Sequence, residues 1–192
     1  MALADYPQIF PGLNRELWLV SAAHADRRTA LIAANVDSVS LVPELPRVTV
    51  AIAKHHFTHD LIEASDHFAM QLVDEPNIDW VYRFGITTGR DTDKFAGLDT
   101  ATTPHGSPIL TAAANWLDCR IEARFDTGDR TLYLAEVLDA HLNRHAAGLS
   151  IKRLLELAPP DKLQAMHAAM SHDIPLDRAA IQSYRNRYTA TP

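Results

Sequence analysis

Short apolar runs separated by polar turns dominate the first two thirds of the chain. Residues 17–23 and 29–34 are two such runs on either side of a charged turn, and residues 47–53 form a third that is rich in β-branched side chains. Short apolar runs bounded by turn residues are typical of buried strands. The pattern therefore predicts antiparallel strands joined by hairpins.

The clearest signal lies between residues 116 and 138. Apolar and charged residues alternate over residues 116–125, a turn follows at residues 126–129, and an apolar-rich run returns over residues 131–138. A period of two gives each strand one wet and one buried face, so a long hairpin is predicted. With residues 67–73 as a further strand, about six strands are expected, and strands that must bury one face favour a small closed barrel. The predicted fold class is mainly β, with inserted helices and Greek-key antiparallel connections.

Two short helices are predicted inside the strand region. Thr58 is a candidate N-cap for a helix through residues 60–64. Pro76 is a candidate first residue for a helix whose apolar stripe consists of Ile78, Trp80, Val81 and Phe84. Residues 85–106 have no regular pattern and are expected to be mostly loop.

The composition changes after residue 141. Residues 150–157 and 161–170 have helical spacing, and Pro175 is expected to interrupt the helices. We therefore divide the chain into an N-terminal extension (1–16), a barrel domain (17–141) and a helical C-terminal segment (142–192) that packs on the barrel or across a dimer.

Composition narrows the class of protein. The 192 residues carry 24 acidic and 18 basic side chains, a net charge of −6, which argues against a nucleic-acid binder driven by phosphate neutralisation. There is no long uncharged apolar run, so no membrane span is expected. The N-terminus has no export-signal pattern and there is one cysteine, Cys119, so the cytoplasm is the expected compartment.

Several kinds of catalytic or cofactor motif are missing. The seven glycines form no Gly-x-Gly-x-x-Gly turn, and phosphate-loop, His-Glu-x-x-His and Gly-x-Ser-x-Gly patterns are absent. His55, His56 and His59 are clustered, but they straddle a loop and a helix start, so convergence on a metal is not expected. Cys119 lies mid-strand and is interpreted as a small buried apolar residue.

Three separated residues suggest an anion site. A phosphate dianion is bound by backbone N–H groups at a helix start, a hydroxyl and one or two cations. Thr58 with the amides that follow it, Arg90 and Lys94 would supply these groups. The alternative is that Thr58 is only an N-cap and that both cations pair with Asp91 and Asp93 in a solvated loop.

The chain resembles the flavin reductase-like family with the FMN-binding split barrel, which includes flavoredoxins and the small reductase components of two-component monooxygenases. The similarity rests on the order of several weak motifs rather than on any one of them. These are Asp-Ser-Val-Ser at residues 37–40, Phe-Thr-His at 57–59, Ser-Asp-His-Phe-Ala at 65–69, Thr-Gly-Arg-Asp-Thr-Asp-Lys-Phe at 88–95, Gly-Ser-Pro-Ile-Leu at 106–110, Trp-Leu-Asp-Cys-Arg at 116–120 and the strand from Gly128 to Val137. Tyr184 and Tyr188 have the spacing of an aromatic pair that often closes such chains.

The resemblance implies a homodimer of split barrels with FMN near the subunit interface. It places the isoalloxazine along residues 35–39 and the ribityl phosphate beside Phe57 and Thr58, with Lys94 as a further flavin contact. The full set of implied cofactor-binding residues is Asn35, Val36, Asp37, Ser38, Val39, His56, Phe57, Thr58, Arg90, Lys94 and Arg130. No metal ligand and no acid or base residue is assigned.

Three departures from the family pattern bear on function. Arg130 stands where the family usually has a histidine associated with the flavin and nicotinamide side of the site, and arginine cannot shuttle a proton. His56 stands where a basic residue, often arginine, is usual, and residues 42–46 replace an Asp-Pro-Pro loop.

Three functions are consistent with these residues. The first is an NAD(P)H-dependent flavin reductase that transfers a hydride from nicotinamide to the N5 atom of FMN, with a monooxygenase that consumes reduced flavin as a candidate partner. The second is a flavoredoxin-like electron carrier with tightly bound FMN and no efficient nicotinamide site, which the arginine at position 130 favours. The third is a split barrel that binds another flat ligand, such as haem through His59 or His105, or none.

Overall fold

The computed structural model describes residues 14–189, with side chains through residue 187, and these residues form nine strands and four α-helices. The strands are β1 (Trp18–His24), β2 (Arg27–Ala33), β3 (Val36–Ser38), β4 (Arg47–Ala53), β5 (His67–Leu72), β6 (Thr100–Thr102), β7 (Pro108–Leu110), β8 (Asn115–Asp126) and β9 (Arg130–Leu142). The helices are α1 (Phe57–Ser65), α2 (Asp79–Ile86), α3 (Ile151–Leu157) and α4 (Pro160–Thr189), and a 3₁₀ turn (Glu75–Asn77) precedes α2.

Seven strands form one antiparallel sheet in the order β2-β1-β5-β8-β9-β4-β3, and β6 pairs with β7 in a separate ladder. The predicted long hairpin is β8–β9, paired from Asn115 opposite Leu142 to Asp126 opposite Thr131. Its turn contains Gly128 at φ 97°, a conformation that favours glycine. The mainly β prediction is confirmed. The expected number of about six strands was too low because β3, β6 and β7 have only three residues each, too few to show a period.

Two apolar cores lie on opposite faces of the curled sheet. The inner core contains the fully buried side chains of Phe68, Met70 and Tyr133, together with Ile62 from α1. The outer core packs α2 and the C-terminal helices against β1, with Phe84 and Leu154 buried there. The C-terminal helices are thus attached to the outside of the sheet through apolar contacts.

Three predicted helix boundaries were wrong. Pro76 lies in the 3₁₀ turn, and helix α2 begins only after that turn. Helix α1 begins at Phe57 with His56 at the N-cap, so Thr58 lies inside the first turn and is not the cap. Helix α4 runs through Pro175 without ending. Proline removes one backbone donor, but a helix of thirty residues keeps the remaining hydrogen bonds on either side.

The division into three segments stays a prediction. Most of the proposed N-terminal extension lies outside the described residues, although Glu16 forms a β-bridge with Ser150 and so joins the start of the barrel to the C-terminal segment. The side chain of Tyr188 also lies outside the described part of the chain. No described helix combines the length and apolarity that a bilayer span requires.

Candidate functional site

A cavity of about 490 Å³ lies where the N-terminus of α1, strand β2, the end of α2 and helix α4 meet. This volume is within the range of small-molecule sites. Its lining comprises Leu31, Ile32, His55, His56, Phe57, Phe84, Gly85, Ile86, Thr87, Thr88, Gly89, Arg90, Lys94, Ala169, His172, Asp173 and Leu176. Four of the eleven residues implied by the resemblance line it, namely His56, Phe57, Arg90 and Lys94.

The other implied residues lie outside this lining. Thr58 follows Phe57 directly but is only 2% exposed. Residues 36–38 form the edge strand β3, on which Asp37 and Ser38 are exposed. The Asn35 side-chain oxygen accepts a hydrogen bond of 3.0 Å from Arg15. Of the predicted phosphate contacts, Phe57, Arg90 and Lys94 therefore line one cavity and Thr58 does not, whereas the predicted ring half lies along a separate sheet edge.

Lys94 is the most deeply buried cation of the cavity, at 6% exposure. Its ammonium donates hydrogen bonds to the backbone oxygens of Ala30 (3.0 Å) and Phe84 (2.8 Å). Burial lowers the pKa of Lys94 to about 8. Neither Asp91 nor Asp93 neutralises Lys94. Asp93 pairs instead with Arg28 at 2.8 Å.

Arg90 links the loop that carries it to helix α1 and to the segment before that helix, at the edge of the cavity. Its guanidinium pairs with Asp60 of α1 at 2.8 Å and donates to the His55 carbonyl at 3.2 Å. It also lies 5.4 Å from the ring centre of Phe57, whose ring is contacted at 4.5 Å by the guanidinium of Arg27. Two cations beside one aromatic ring at a helix N-terminus make this end of the cavity attractive to an anion.

The charge on His56 depends on helix α4. Burial and the neighbouring His55 lower the pKa of His56, and the carboxylate of Asp173 only partly opposes them. The His56 Nε2 atom lies 3.5 Å from an oxygen of Asp173. With its pKa lowered, the His56 imidazole is mostly neutral near pH 7 and attracts a phosphate less than the arginine that is usual at this position would.

Arg130 faces α4 in this structure. Its guanidinium contacts Asp177 at 3.0 Å and Asp129 at 3.2 Å. A flavin or nicotinamide contact for Arg130 stays a prediction, and any such ligand would compete with these two carboxylates.

Two other sequence interpretations have a clear structural outcome. Cys119 is fully buried, and burial raises its thiol pKa, as the interpretation as a small apolar residue requires. His59 does not belong to the cluster that His55 and His56 form, and it shares a hydrogen bond of 2.9 Å with Thr131. His55 and His56, however, do converge, on Asp173 of α4.

Helix α4 supplies the residues that sequence reasoning missed. Ala169, His172, Asp173 and Leu176 close one side of the cavity. The sequence pattern predicts a helix in this part of the chain. It does not predict which distant segments that helix packs against, so these four residues could not be assigned to the site. The close approach of Gly89 to Thr29 was also missed, because it depends on the same tertiary packing.

The curled antiparallel sheet and the helices packed on its outer face define a split β-barrel. The family profile described as "Flavin reductase like domain" matches residues 10–154, so the chain belongs to the flavin reductase-like family. Its fold is the antiparallel split barrel that the resemblance implied.

Two curated relatives show how this domain occurs in larger proteins. The chain is 29% identical over 148 residues to diflavin flavoprotein A 1 of Synechocystis, covering 77% of this chain and 25% of that protein. It is 29% identical over 130 residues to the high molecular weight rubredoxin of Moorella thermoacetica, covering 67% of this chain and 56% of that protein. The chain thus spans from about a quarter to about half of the length of these relatives.

Three solved structures share the fold. The NADH:FAD oxidoreductase SgcE6 of Streptomyces globisporus has a TM-score of 0.67 at 23% identity, covering 76% of this chain and 86% of that chain. The FMN-binding protein of Thermus thermophilus has a TM-score of 0.66 at 20% identity, with coverages of 74% and 78%. The flavoredoxin of Methanosarcina acetivorans has a TM-score of 0.63 at 17% identity, with coverages of 68% and 69%.

Proposed function

We propose that this chain, a flavin-binding oxidoreductase by family, is an NAD(P)H-dependent flavin reductase that uses FMN. The observation that carries the proposal is the gathering of His56, Phe57, Arg90 and Lys94 in one cavity at the N-terminus of α1. A flavin mononucleotide ends in a phosphate dianion, which the Arg90 guanidinium, the Lys94 ammonium and the helix amides would bind. When bound, FMN would accept a hydride at N5 from the nicotinamide.

The cavity fits the phosphate end of the ligand on physical grounds. The first N–H groups of α1 have no partner within the helix, and Arg90 lies beside them. Lys94 keeps one N–H for a ligand, since an ammonium has three donors and two are used by backbone oxygens. Thr58 would contribute through its backbone amide, because its buried side chain does not line the cavity.

The isoalloxazine would extend from this cavity toward residues 35–39, as the resemblance implies. The exposed apolar side chains of loop 39–46, which follows that strand, favour a homodimer with the flavin close to the interface. Leu41 is fully exposed and Leu45 is 60% exposed in this loop. Exposed apolar patches of this kind mark interaction sites. A partner monooxygenase that consumes reduced flavin, and a cytoplasmic location, belong to the same proposal.

A flavoredoxin-like electron carrier is the second candidate, and the position of Arg130 favours it. The family usually has histidine there, whereas Arg130 is held by Asp129 and Asp177. An arginine fixed by two carboxylates is poorly placed to receive a nicotinamide. Such a carrier would retain FMN through dialysis and oxidise NAD(P)H negligibly.

The test is an anaerobic titration of the FMN-loaded protein with NADH and then NADPH. A reductase bleaches the flavin absorbance with at least one donor and turns over added flavin. Flavin that is bound but stays oxidised with both donors overturns the reductase and supports the carrier. A protein that remains colourless after mixing with FMN overturns both.

The location of the phosphate is tested by Arg90→Ala and the control Arg153→Ala. Arg153 is an exposed arginine on α3 that pairs with Glu75, outside the cavity lining. Loss of a hydrogen bond to a charged group corresponds to about 1.5–3 kcal/mol, so Arg90→Ala should weaken FMN binding by roughly 10-fold or more. Equal FMN affinities in the two variants would contradict the proposal that the FMN phosphate binds in this cavity.

A further inference from the structure

Two adjacent histidines and one aspartate converge at the wall of the cavity. His55 and His56 come from the loop before α1, and Asp173 comes from the middle of α4. One ligand atom from each of the three lies within 4.8 Å of the other two. We propose that His55, His56 and Asp173 form a binding site for a divalent transition-metal ion of the zinc type, with a further coordination position open to the cavity. This proposal does not rest on flavin binding.

The spacing of the ligand atoms suits a metal better than it suits hydrogen bonds. The Nε2 atom of His55 lies 3.3 Å from one oxygen of Asp173, and the Nε2 atom of His56 lies 3.5 Å from the other. Charge-assisted hydrogen bonds are shorter, about 2.7–2.9 Å. Bond lengths of zinc to nitrogen and oxygen, combined with tetrahedral angles, place neighbouring ligand atoms about 3.3 Å apart.

The Nε2 atom of His55 also lacks a hydrogen-bond partner among the described residues, although the Asp173 carboxylate faces it. This nitrogen is buried. Buried polar side-chain atoms are normally paired, so an unpaired one needs a physical reason. A bound cation would satisfy this nitrogen and the facing carboxylate at once.

A carboxylate stands behind the same histidine. The Nδ1 atom of His55 lies 3.4 Å from Asp177, whose other oxygen accepts a hydrogen bond of 3.0 Å from Arg130. Histidines that ligate metals usually present their second ring nitrogen to a carboxylate or carbonyl, which fixes the ring. The structure therefore offers three candidate ligands, and it places behind the ring of His55 a carboxylate whose facing oxygen has no hydrogen-bond partner among the described residues.

The ligand types define the class of ion. Two imidazoles and one carboxylate suit zinc, iron, nickel or copper, whereas calcium and magnesium prefer oxygen ligands alone. Three protein ligands beside a cavity leave space for an exogenous group on the metal, as in catalytic rather than structural zinc sites. Because α4 supplies Asp173, a bound ion would also fix this helix over the cavity.

The test is calorimetric titration with ZnCl₂ of the full chain, free of any histidine tag and first treated with a chelator. We expect one equivalent to bind, with binding abolished in His55→Ala and in Asp173→Ala. Asp177→Asn should weaken it by about 10–100-fold. His167→Ala, which removes an exposed histidine from the same helix, should leave it unchanged. Circular dichroism establishes that each variant is folded.

A second measurement needs no variant. Cobalt(II) in a four-coordinate site gives intense visible absorption, whereas six-coordinate cobalt absorbs weakly. We expect the intense spectrum when cobalt replaces zinc in the unmodified chain. The absence of stoichiometric zinc binding, unchanged binding in His55→Ala and Asp173→Ala, or only the weak cobalt spectrum would each overturn the site and leave the cluster as an ion pair that holds α4.

Discussion

The side-chain nitrogen of Lys94 donates a 2.8 Å hydrogen bond to the backbone oxygen of Phe84, in the last turn of α2. The final carbonyls of a helix have no partner within the helix. The same nitrogen donates to Ala30 in β2, which lies at the edge of the sheet. Lys94 therefore satisfies two backbone acceptors that the regular elements leave free, and ties the loop that carries it to both.

Replacing Lys94 with methionine tests this role. Methionine keeps the length of the side chain but leaves the oxygens of Ala30 and Phe84 without their donor. A buried polar group left unpaired costs about 1–3 kcal/mol, so at pH 10, where the penalty of burying the Lys94 charge is largely relieved, Lys94→Met should lower the free energy of unfolding by roughly that amount in urea denaturation. Lys152→Met, on an exposed position of α3, is the control and should change it by less than about 0.5 kcal/mol. Equal stability of the two variants would contradict the role.

The lowered pKa of Lys94 predicts a pH dependence. The pKa is about 8 in the folded chain and 10.5 when unperturbed. Between these values the unfolded chain binds more protons, so the penalty of burying the charge is complete below pH 8 and is relieved as the pH rises toward 10.5. A neutral amine still has two N–H groups for the two carbonyls.

The measurement is the stability difference between the unmodified chain and Lys94→Met across that window. Other groups titrate equally in both chains, so the difference isolates Lys94. It should move in favour of the unmodified chain from pH 8 to 10, by at most about 1.4 kcal/mol per pH unit. A difference that is flat, or that moves in the opposite direction, would rule out an ammonium with a lowered pKa.

Sequence periodicity predicted the barrel because its signals are local. In the β8–β9 hairpin, strand β8 alternates apolar and charged residues from Leu117 to Asp126, and a turn separates it from the apolar-rich strand β9. The order of the motifs, rather than any single motif, brought His56, Phe57, Arg90 and Lys94 into one expected site. The structure places these four residues around one cavity.

The remainder of the site depends on contacts between distant segments. Asp173 lies more than a hundred residues after His56. The periodicity of α4 predicts a helix, but it does not show that the face with Asp173 packs against the cavity. For the same reason the histidine pair did not suggest a cation site, since the third member comes from another part of the chain. Pro175 gave a misleading signal because one proline within a long helix costs too little to end it.

Gly89 is predicted to tolerate no side chain. A Cβ at this position would lie 2.9 Å from the Cβ of Thr29 and closer still to its hydroxyl. Overpacking of this kind costs about 1–3 kcal/mol, so Gly89→Ala should destabilise the chain and displace the loop that carries Arg90. Chemical denaturation measures the first effect and FMN affinity the second.

Gly85→Ala is the matched control for this substitution. Its Cβ would meet Ile32 at 3.6 Å, an ordinary contact, and it lies within α2. Alanine is preferred to glycine in helices by about 0.5–1 kcal/mol, so this variant should be as stable as the unmodified chain or more so. If both alanine variants unfold alike, the close approach of Gly89 to Thr29 is not a constraint.

Arg130 and Asp177 are predicted to be energetically coupled through the docking of α4. Their side chains lie 3.0 Å apart and are 36% and 18% exposed, so solvent screens the pair and about 0.5 kcal/mol of coupling is expected. A double-mutant cycle of Arg130→Ala and Asp177→Asn measures this value directly. In the parallel cycle with Asp161→Asn, in the first turn of the same helix, the effects should add. Arg130→Ala should also speed hydrogen exchange in α4, because the helix loses a contact to the barrel. Additive effects in both cycles, with unchanged exchange, would mean that apolar packing alone holds α4 over the cavity.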